Sequence, residues 1–249
     1  MKRIGVLTSG GDTPGMNAAI RAVFKTGVDI DLQVMGIYHG YKGLIEGRVG
    51  YLAHADVESK MHKGGTILRT ARSEEFKTEG GIEKAISVLR AYEIEGLIVI
   101  GGDGSFKGAD ALSKRGIPVI GIPGTIDNDM GYTDFTIGFD TAVNNVMNEI
   151  YKIRDTMRAH DRVGVIEVMG RRCGDIALWA GVAGAADIIL VPERPLSWAD
   201  AANRLAANKL RGQLTSIVMI AEGAGKAEDF CEYVRKYTDV ELSLIHISE

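Results

Sequence analysis

The sequence predicts an α/β protein in which strands and helices alternate around largely parallel sheets, with a long helix separating two lobes. Three features lead there. Short β-branched runs ending in glycine recur along the chain, amphipathic stretches fill the gaps, and one amphipathic stretch near the middle is much longer than the rest. Strands are expected at "RIGVLT" (3 to 8), "QVMGIY" (33 to 38), "GLIVIGG" (96 to 102), "IPVIGIP" (117 to 123), "RVGVIEVM" (162 to 169), "DIILVP" (187 to 192) and "SIVMIAEG" (216 to 223). "GMNAAIRAVFKTGV" and "IEKAISVLRAYEI" carry apolar residues at spacings of three and four, as one helix face requires. "TAVNNVMNEIYKIRDTMRAH" is the long helix, and it sets the lobe break near residue 138. No internal repeat or low-complexity linker stands out.

The chain has 249 residues and a formal net charge of -4, with a pI near 5.8. Without a basic run, this argues against a nucleic-acid or membrane-surface partner and leaves small anionic ligands open. Cys173 and Cys231 make neither a metal-type spacing nor a disulfide framework, which fits reduced thiols in the cytoplasm. The apolar run in "MKRIGVLTSGG" is too short for a signal peptide or a membrane span.

Ligands of an open parallel sheet sit beyond the carboxyl ends of its strands, and three glycine-rich stretches fall there. In "TSGGDTPGMNAAI", Gly10, Gly11 and Gly15 lead from a strand into a helix, where bare backbone amides can approach a phosphate. A tight turn explains these glycines equally well. In "VIGGDGSFKGA", Gly102, Gly104 and Gly108 run G-x-G-x-x-x-G, one residue longer than the dinucleotide fingerprint, with Asp103 inside the loop. A carboxylate among phosphate-cradling amides repels a bare polyphosphate unless a metal lies between, so Asp103 is the Mg2+ candidate; an N-cap aspartate is the alternative. In "PGTIDND", Thr125, Asp127 and Asp129 follow the third strand end, where paired carboxylates can tune one as a general base. For "DND" alone an Asx-rich turn is the commoner reading. Three such strand ends together describe a phosphate, a metal and a base.

Phosphoryl transfer relies on positioning and on cancelling negative charge, so cations are needed. "RTARSEEFK" supplies Arg69, Arg72 and Lys77, and "VMGRRCGD" supplies Arg171 and Arg172 just past a strand end. Each alone is usually a solvated charge; Arg171 is favoured because it follows a strand-glycine junction, as the acids do. The chain has no G-x-x-x-x-G-K-[ST] loop and no protein-kinase loop set.

Seven stretches, "LTSGGDTPGMNAAIR", "GGTILRTAR", "VIGGDGSFKGA", "PGTIDND", "TIGFDTA", "EVMGRRCGDIAL" and "VPE", resemble the bacterial ATP-dependent 6-phosphofructokinases, from Met1 to about Tyr237. The resemblance implies a two-lobed phosphofructokinase-like fold with an ATP- and Mg2+-binding lobe at 1–138 and a sugar-phosphate lobe at 139–237. It implies that Asp127 takes the proton from the 1-hydroxyl of fructose 6-phosphate beside Thr125 and Asp129, and that Arg171 and the Gly11 amide balance the transferring phosphoryl group. Gly11, Arg72, Ser73, Gly102, Gly104, Ser105 and Gly108 would hold ATP, and Asp103 the Mg2+. Met169, Gly170, Arg171 and Glu222 would contact the sugar, and Arg162 would reach the 6-phosphate of a neighbouring subunit in a homotetramer.

Pyrophosphate-using relatives typically carry aspartate at the position of Gly104 and lysine at that of Gly124; both are glycine here, which favours ATP. Arg21, Lys25, Arg154, Asp187, Arg211 and Gln213 match an effector site for ADP or phosphoenolpyruvate, with Gln213 in place of a common lysine and His54 in place of an arginine. From about Thr238 the likeness is expected to fail. Segment 238–249 reads as a divergent tail, from truncation, frame shift or added sequence, with Ser243 replacing a substrate-phosphate arginine and Glu249 a histidine. The expectation is an incomplete chain with weak sugar binding and uncovered apolar surface. Two other readings are a nucleotide-binding fragment or regulatory subunit without turnover, and a "GGDG"-type NAD or lipid kinase sharing the Asp103 loop.

Overall fold

The computed structural model describes residues 2–247, so Glu249 lies outside the described residues. The chain forms two compact units, one of Met1–Thr125 with Met130–Gly138 and the other of Ile126–Asp129 with Phe139–Glu249.

The first unit holds strands β1 (Arg3–Thr8), β2 (Gln33–Ile37), β3 (Val49–Tyr51), β4 (Gly96–Gly101), β5 (Val119–Thr125) and β6 (Ile137–Gly138), in spatial order β3-β2-β1-β4-β5-β6. Every pairing is parallel except β2 with β3. Its helices are α1 (Met16–Asp29), α2 (Gly40–Ile45), α3 (His54–Val57), α4 (Glu79–Ala91) and α5 (Asp103–Ser113). Alternation along β1 feeds two cores. Ile4 and Val6 pack with Met16, Ile20 and Phe24 of α1, while Leu7 packs with Ile82, Ile86 and Leu89 of α4 and Leu112 of α5. Burial on both faces is why these strands read as nearly unbroken apolar runs. Helix α4 begins three residues before the expected start because Thr78 caps it, its hydroxyl accepting from the Gly81 amide at 3.1 Å.

The second unit contains α6 (Phe139–Ala159), β7 (Val163–Val168), α7 (Asp175–Ala183), β8 (Ile188–Leu190), α8 (Trp198–Leu210), β9 (Ser216–Ala221), α9 (Ala227–Tyr237) and β10 (Leu242–Ile247). Its sheet is parallel throughout, in order β10-β7-β9-β8. Ile166, Val168, Ile217 and Met219 meet α6 and α7 on one face; Val163, Val165, Val218 and Ile220 meet α8 and α9 on the other.

The expected strands all form, several of them shorter by a residue or more at an end. Three further strands were not expected. β3 and β6 are too short to show an alternation. β10 lies in the segment set apart as a tail, yet Leu242 and Leu244 pack on one core and Ile245 and Ile247 on the other, and the strand pairs with β7 from Leu242↔Val163 to Ile247↔Val168.

Phe230 of α9 is fully buried in the core between α8, α9 and the sheet. Phe230→Ala should destabilise the fold by about 3–5 kcal/mol, read as a lower urea midpoint with little change in slope.

Candidate active site

In the first unit, the loops leaving β1 and β4 touch. The Ser9 amide donates to the Ile100 carbonyl at 3.0 Å, and a Cβ on Gly101 would stand 2.4 Å from the Ser9 oxygen, so only glycine fits there. The backbones of Gly11 and Gly104 face open space, as a cradle for a bulky anion requires. Asp103 is the first residue of α5, with Gly102 as N-cap and no side-chain cap bond. Its half-exposed carboxylate pairs with Lys107 at 2.7 Å, one turn along the helix. The Ser105 hydroxyl, in the first turn of the same helix, is buried without a hydrogen-bond partner. An orphaned hydroxyl and a reachable carboxylate in one glycine loop fit a metal-bound phosphate.

Gly108 is covered by protein: a Cβ there would come within 2.7 Å of the Tyr41 ring. Tyr41 stacks on Phe76 with ring centroids 4.0 Å apart and donates its hydroxyl to the Ser105 carbonyl at 2.6 Å. Burial raises its pKa well above the ordinary tyrosine range, so it stays a donor. Gly124 is also tight, its would-be Cβ lying 3.1 Å from Ile100. Thr125 ends β5, and its carbonyl accepts from the Thr136 hydroxyl at 2.6 Å.

The segment carrying Arg69, Arg72 and Ser73 is lashed to the β1 loop. Asp12 accepts from the amides of Gly65 at 3.1 Å and Thr66 at 2.8 Å. The Asn17 side chain accepts from Ile67 at 2.9 Å and donates to the carbonyls of Lys63 and Gly65, each at 3.0 Å. The Thr8 hydroxyl donates to the Arg69 carbonyl at 3.0 Å. Arg72 stays exposed, the Ser73 hydroxyl accepts from the Phe76 amide at 3.2 Å, and Lys77 is spent on Glu74.

In the second unit, Asp127, Asp129 and Arg171 come together. The Arg171 guanidinium lies 3.4 Å from Asp129 and 4.0 Å from Asp127, whose side chain is only 10% exposed. A cation between two carboxylates relieves their repulsion. Arg171 has a left-handed backbone (φ 53°) and Gly170 a φ of 143°. Glu222 fixes that bend, one carboxylate oxygen accepting from the amides of both Gly170 and Arg171. Asn128, also left-handed at φ 52°, donates its side-chain amide to Asp175 at 2.8 Å. Burial, with Asp175 and Glu193 adding to it, pushes the Cys173 thiol up to about 11, so it is protonated at neutral pH. Met169 follows β7 half-buried, and Arg172 is exposed.

The remaining expected residues are spread over both units. Arg162 pairs with Glu241 at 3.1 Å on the surface. Ser243 sits on β10 opposite Gly164. Arg21 and Lys25 lie on α1, with the Lys25 amine 3.5 Å from His54. The Arg154 guanidinium donates to the carbonyls of Gly184 and Ala185, and its Nε is buried without a partner. Asp187 accepts from the Gln213 side chain at 2.7 Å and the Ile217 amide at 2.8 Å; Arg211 bonds Asn208. Glu167, Glu228 and His246 bring ligand-type atoms within 4.8 Å of one another, but the bond of His246 to Glu228 and that of the Ala227 amide to Glu167 already link them.

Sequence reasoning missed Asp12, Asn17, Tyr41 and Asp175. Asp12, Asn17 and Asp175 stood inside quoted glycine stretches, and a polar residue beside glycines could have flagged them; Tyr41 lay outside every quoted stretch.

A family model described as phosphofructokinase matches residues 3–247. The ATP-dependent 6-phosphofructokinase of Clostridium novyi (strain NT) is 54% identical over 244 residues, covering 98% of this chain and 76% of the relative. That of Clostridium botulinum (strain Hall) is 54% identical over 241 residues, covering 97% and 76%. The solved structure of phosphofructokinase from Saccharomyces cerevisiae superposes with a TM-score of 0.91 at 35% identity, covering 100% of this chain and 38% of that one. The likeness thus runs past Tyr237 and takes in β10. Matched over nearly its whole length by the family model and by relatives at 54% identity, this chain belongs to the phosphofructokinase family.

Proposed function

We propose that the chain transfers the γ-phosphoryl group of ATP to the 1-hydroxyl of fructose 6-phosphate, giving fructose 1,6-bisphosphate and ADP, a step of glycolysis. The observation that carries this is the buried carboxylate of Asp127, held beside Asp129 by the Arg171 guanidinium. The names of the relatives point the same way and do not favour a "GGDG"-type NAD or lipid kinase or a subunit without turnover.

In this reading Asp127 accepts the proton of the 1-hydroxyl. The freed oxygen attacks the γ-phosphorus, the bond to the β,γ-bridging oxygen breaks, and ADP departs with that electron pair. Arg171 stabilises the charge gathering on the equatorial oxygens, a term that dominates reactions with loose transition states. Thr125 and Asp129 orient the base, and Gly11 and Arg72 act on the phosphoryl group. Met169, Gly170 and Glu222 contact the sugar; Glu222 also sets the bend that aims Arg171. Gly102, Gly104, Ser105, Gly108 and Ser73 hold the nucleotide, with Tyr41 supporting Gly108 from behind. Asp103 would hold Mg2+, which when bound neutralises part of the polyphosphate charge. The lobe at 1–138 is then the nucleotide lobe and 139–237 the sugar-phosphate lobe. Gly104 and Gly124 support ATP as donor.

The same proposal includes a cytoplasmic homotetramer in which Arg162 serves a neighbouring subunit, and an ADP or phosphoenolpyruvate effector bound by Arg21, Lys25, Arg154, Asp187, Arg211 and Gln213. Among the described residues no helix is long and apolar enough to cross a membrane.

A coupled assay of fructose 1,6-bisphosphate formation, run with fructose 6-phosphate and with ATP or pyrophosphate, tests the reaction; turnover with pyrophosphate alone would overturn the donor. Asp127→Ser should lower kcat by roughly 10²- to 10⁴-fold, the usual contribution of a general base, with ATP affinity by calorimetry nearly unchanged. Gly104→Asp should raise KM for ATP by about 100-fold, because apposed like charges cost several kcal/mol. Its Cβ would enter open space, so the melting temperature should hold.

A further inference from the structure

We propose that Asp175 is a positioning residue for the Asp127–Asp129 pair: it grips Asn128 and so sets the turn that presents both carboxylates to Arg171. This rests on the reading of Asp127 as the base.

The argument starts from the backbone. Asn128 sits at φ 52°, in the left-handed region that asparagine tolerates better than most residues and still occupies at a cost. Such a conformation persists where its surroundings over-determine it. Three restraints do so here. The Asn128 side-chain amide donates to the Asp175 carboxylate at 2.8 Å, a charge-assisted bond. The Cys173 thiol lies 4.0 Å from the Asn128 carbonyl. Ile126, two residues earlier, is buried in the core formed with α6 and α7.

Asp175 is itself well anchored. It opens α7, where the helix N-terminus favours a carboxylate, and Ile176, Ala177 and Ala180 of that helix are buried in the same core as Ile126. The turn is therefore referenced to a packed helix, and rigid elements hold reactive groups more accurately than loops do. The residues flanking Asn128 converge on one guanidinium only because the chain turns between them. Glu222 sets the other side of the contact by fixing the backbone of Arg171. Acid pair and arginine are thus each held from behind by a separate carboxylate, neither of which is the base.

The test uses the full chain and its Asp175→Ala, Asp175→Asn, Asn128→Gly and Asp127→Ser variants. Asp175→Ala should lose roughly 100-fold in kcat, the loss a misplacement of about 1 Å can produce, with KM for ATP and the melting temperature close to those of the parent. Asp175→Asn, which still offers an oxygen to the Asn128 amide, should recover most of that loss. Asn128→Gly adopts the left-handed backbone without strain but lacks the amide, so it should fold normally and lose kcat as Asp175→Ala does. Full kcat in Asp175→Ala or Asn128→Gly, or equal losses in the alanine and asparagine variants, would overturn the proposal. A crystal structure of Asp175→Ala judges it independently of turnover: Arg171 should leave Asp129, and an unchanged contact refutes the assignment. Unaltered turnover in Asp127→Ser would instead remove the base reading itself.

Discussion

Two carboxylates separated by a single residue, one of them buried, repel each other at a cost that a cation lying close to both relieves. Arg171 meets that need, and much of the second unit around it follows from the requirement. To bring the guanidinium to the acids, the chain after β7 takes two unusual backbone conformations in succession, at Gly170 and Arg171. To hold that bend, Glu222 spends an oxygen on both amides. Gly174 in turn gives its amide to Glu193 at 2.7 Å, and any side chain there would strike that carboxylate. The region is a set of backbone amides paired with carboxylates, and Arg171 is aimed by what stands behind it.

In the first unit glycine backbone carries more of the arrangement. Its two glycine loops approach so closely that Gly101 has no room for a methyl group, while Gly11 and Gly104 look into open space. Glycine thus serves two purposes within a few residues: packing at one position, open backbone at the others. Asp12 and Asn17 then carry the order outward, fixing the 63–69 segment through its own amides and carbonyls.

Much of this was legible in the sequence, for identifiable reasons. Strands buried on both faces write themselves as apolar runs, so β1, β4, β7 and β9 were plain, whereas β3 and β6 are too short to show an alternation. The acids and glycines at strand ends stood out because three such clusters recur where an open parallel sheet takes its ligands. The supports did not stand out. Asp175 lies 47 positions from Asn128 and Glu222 lies 51 from Arg171, and nothing local links such partners. Gly108 was legible as a glycine and not as the seat of the Tyr41 ring, which only packing shows.

The tetrapeptide Ile126–Asp129 belongs to the second unit although the sequence on both sides of it belongs to the first. During synthesis β5 emerges well before the residues among which Ile126 is finally buried, and β6 closes onto β5 only after the tetrapeptide has been passed. Neither unit can therefore be excised by a single cut or completed by a single stretch of chain. Their folding is coupled through contacts of high sequence separation, the kind that slows folding and makes intermediates accumulate. Ile126, next to the proposed base, is packed only once residues of α6 and α7, which follow it in the chain, are in place.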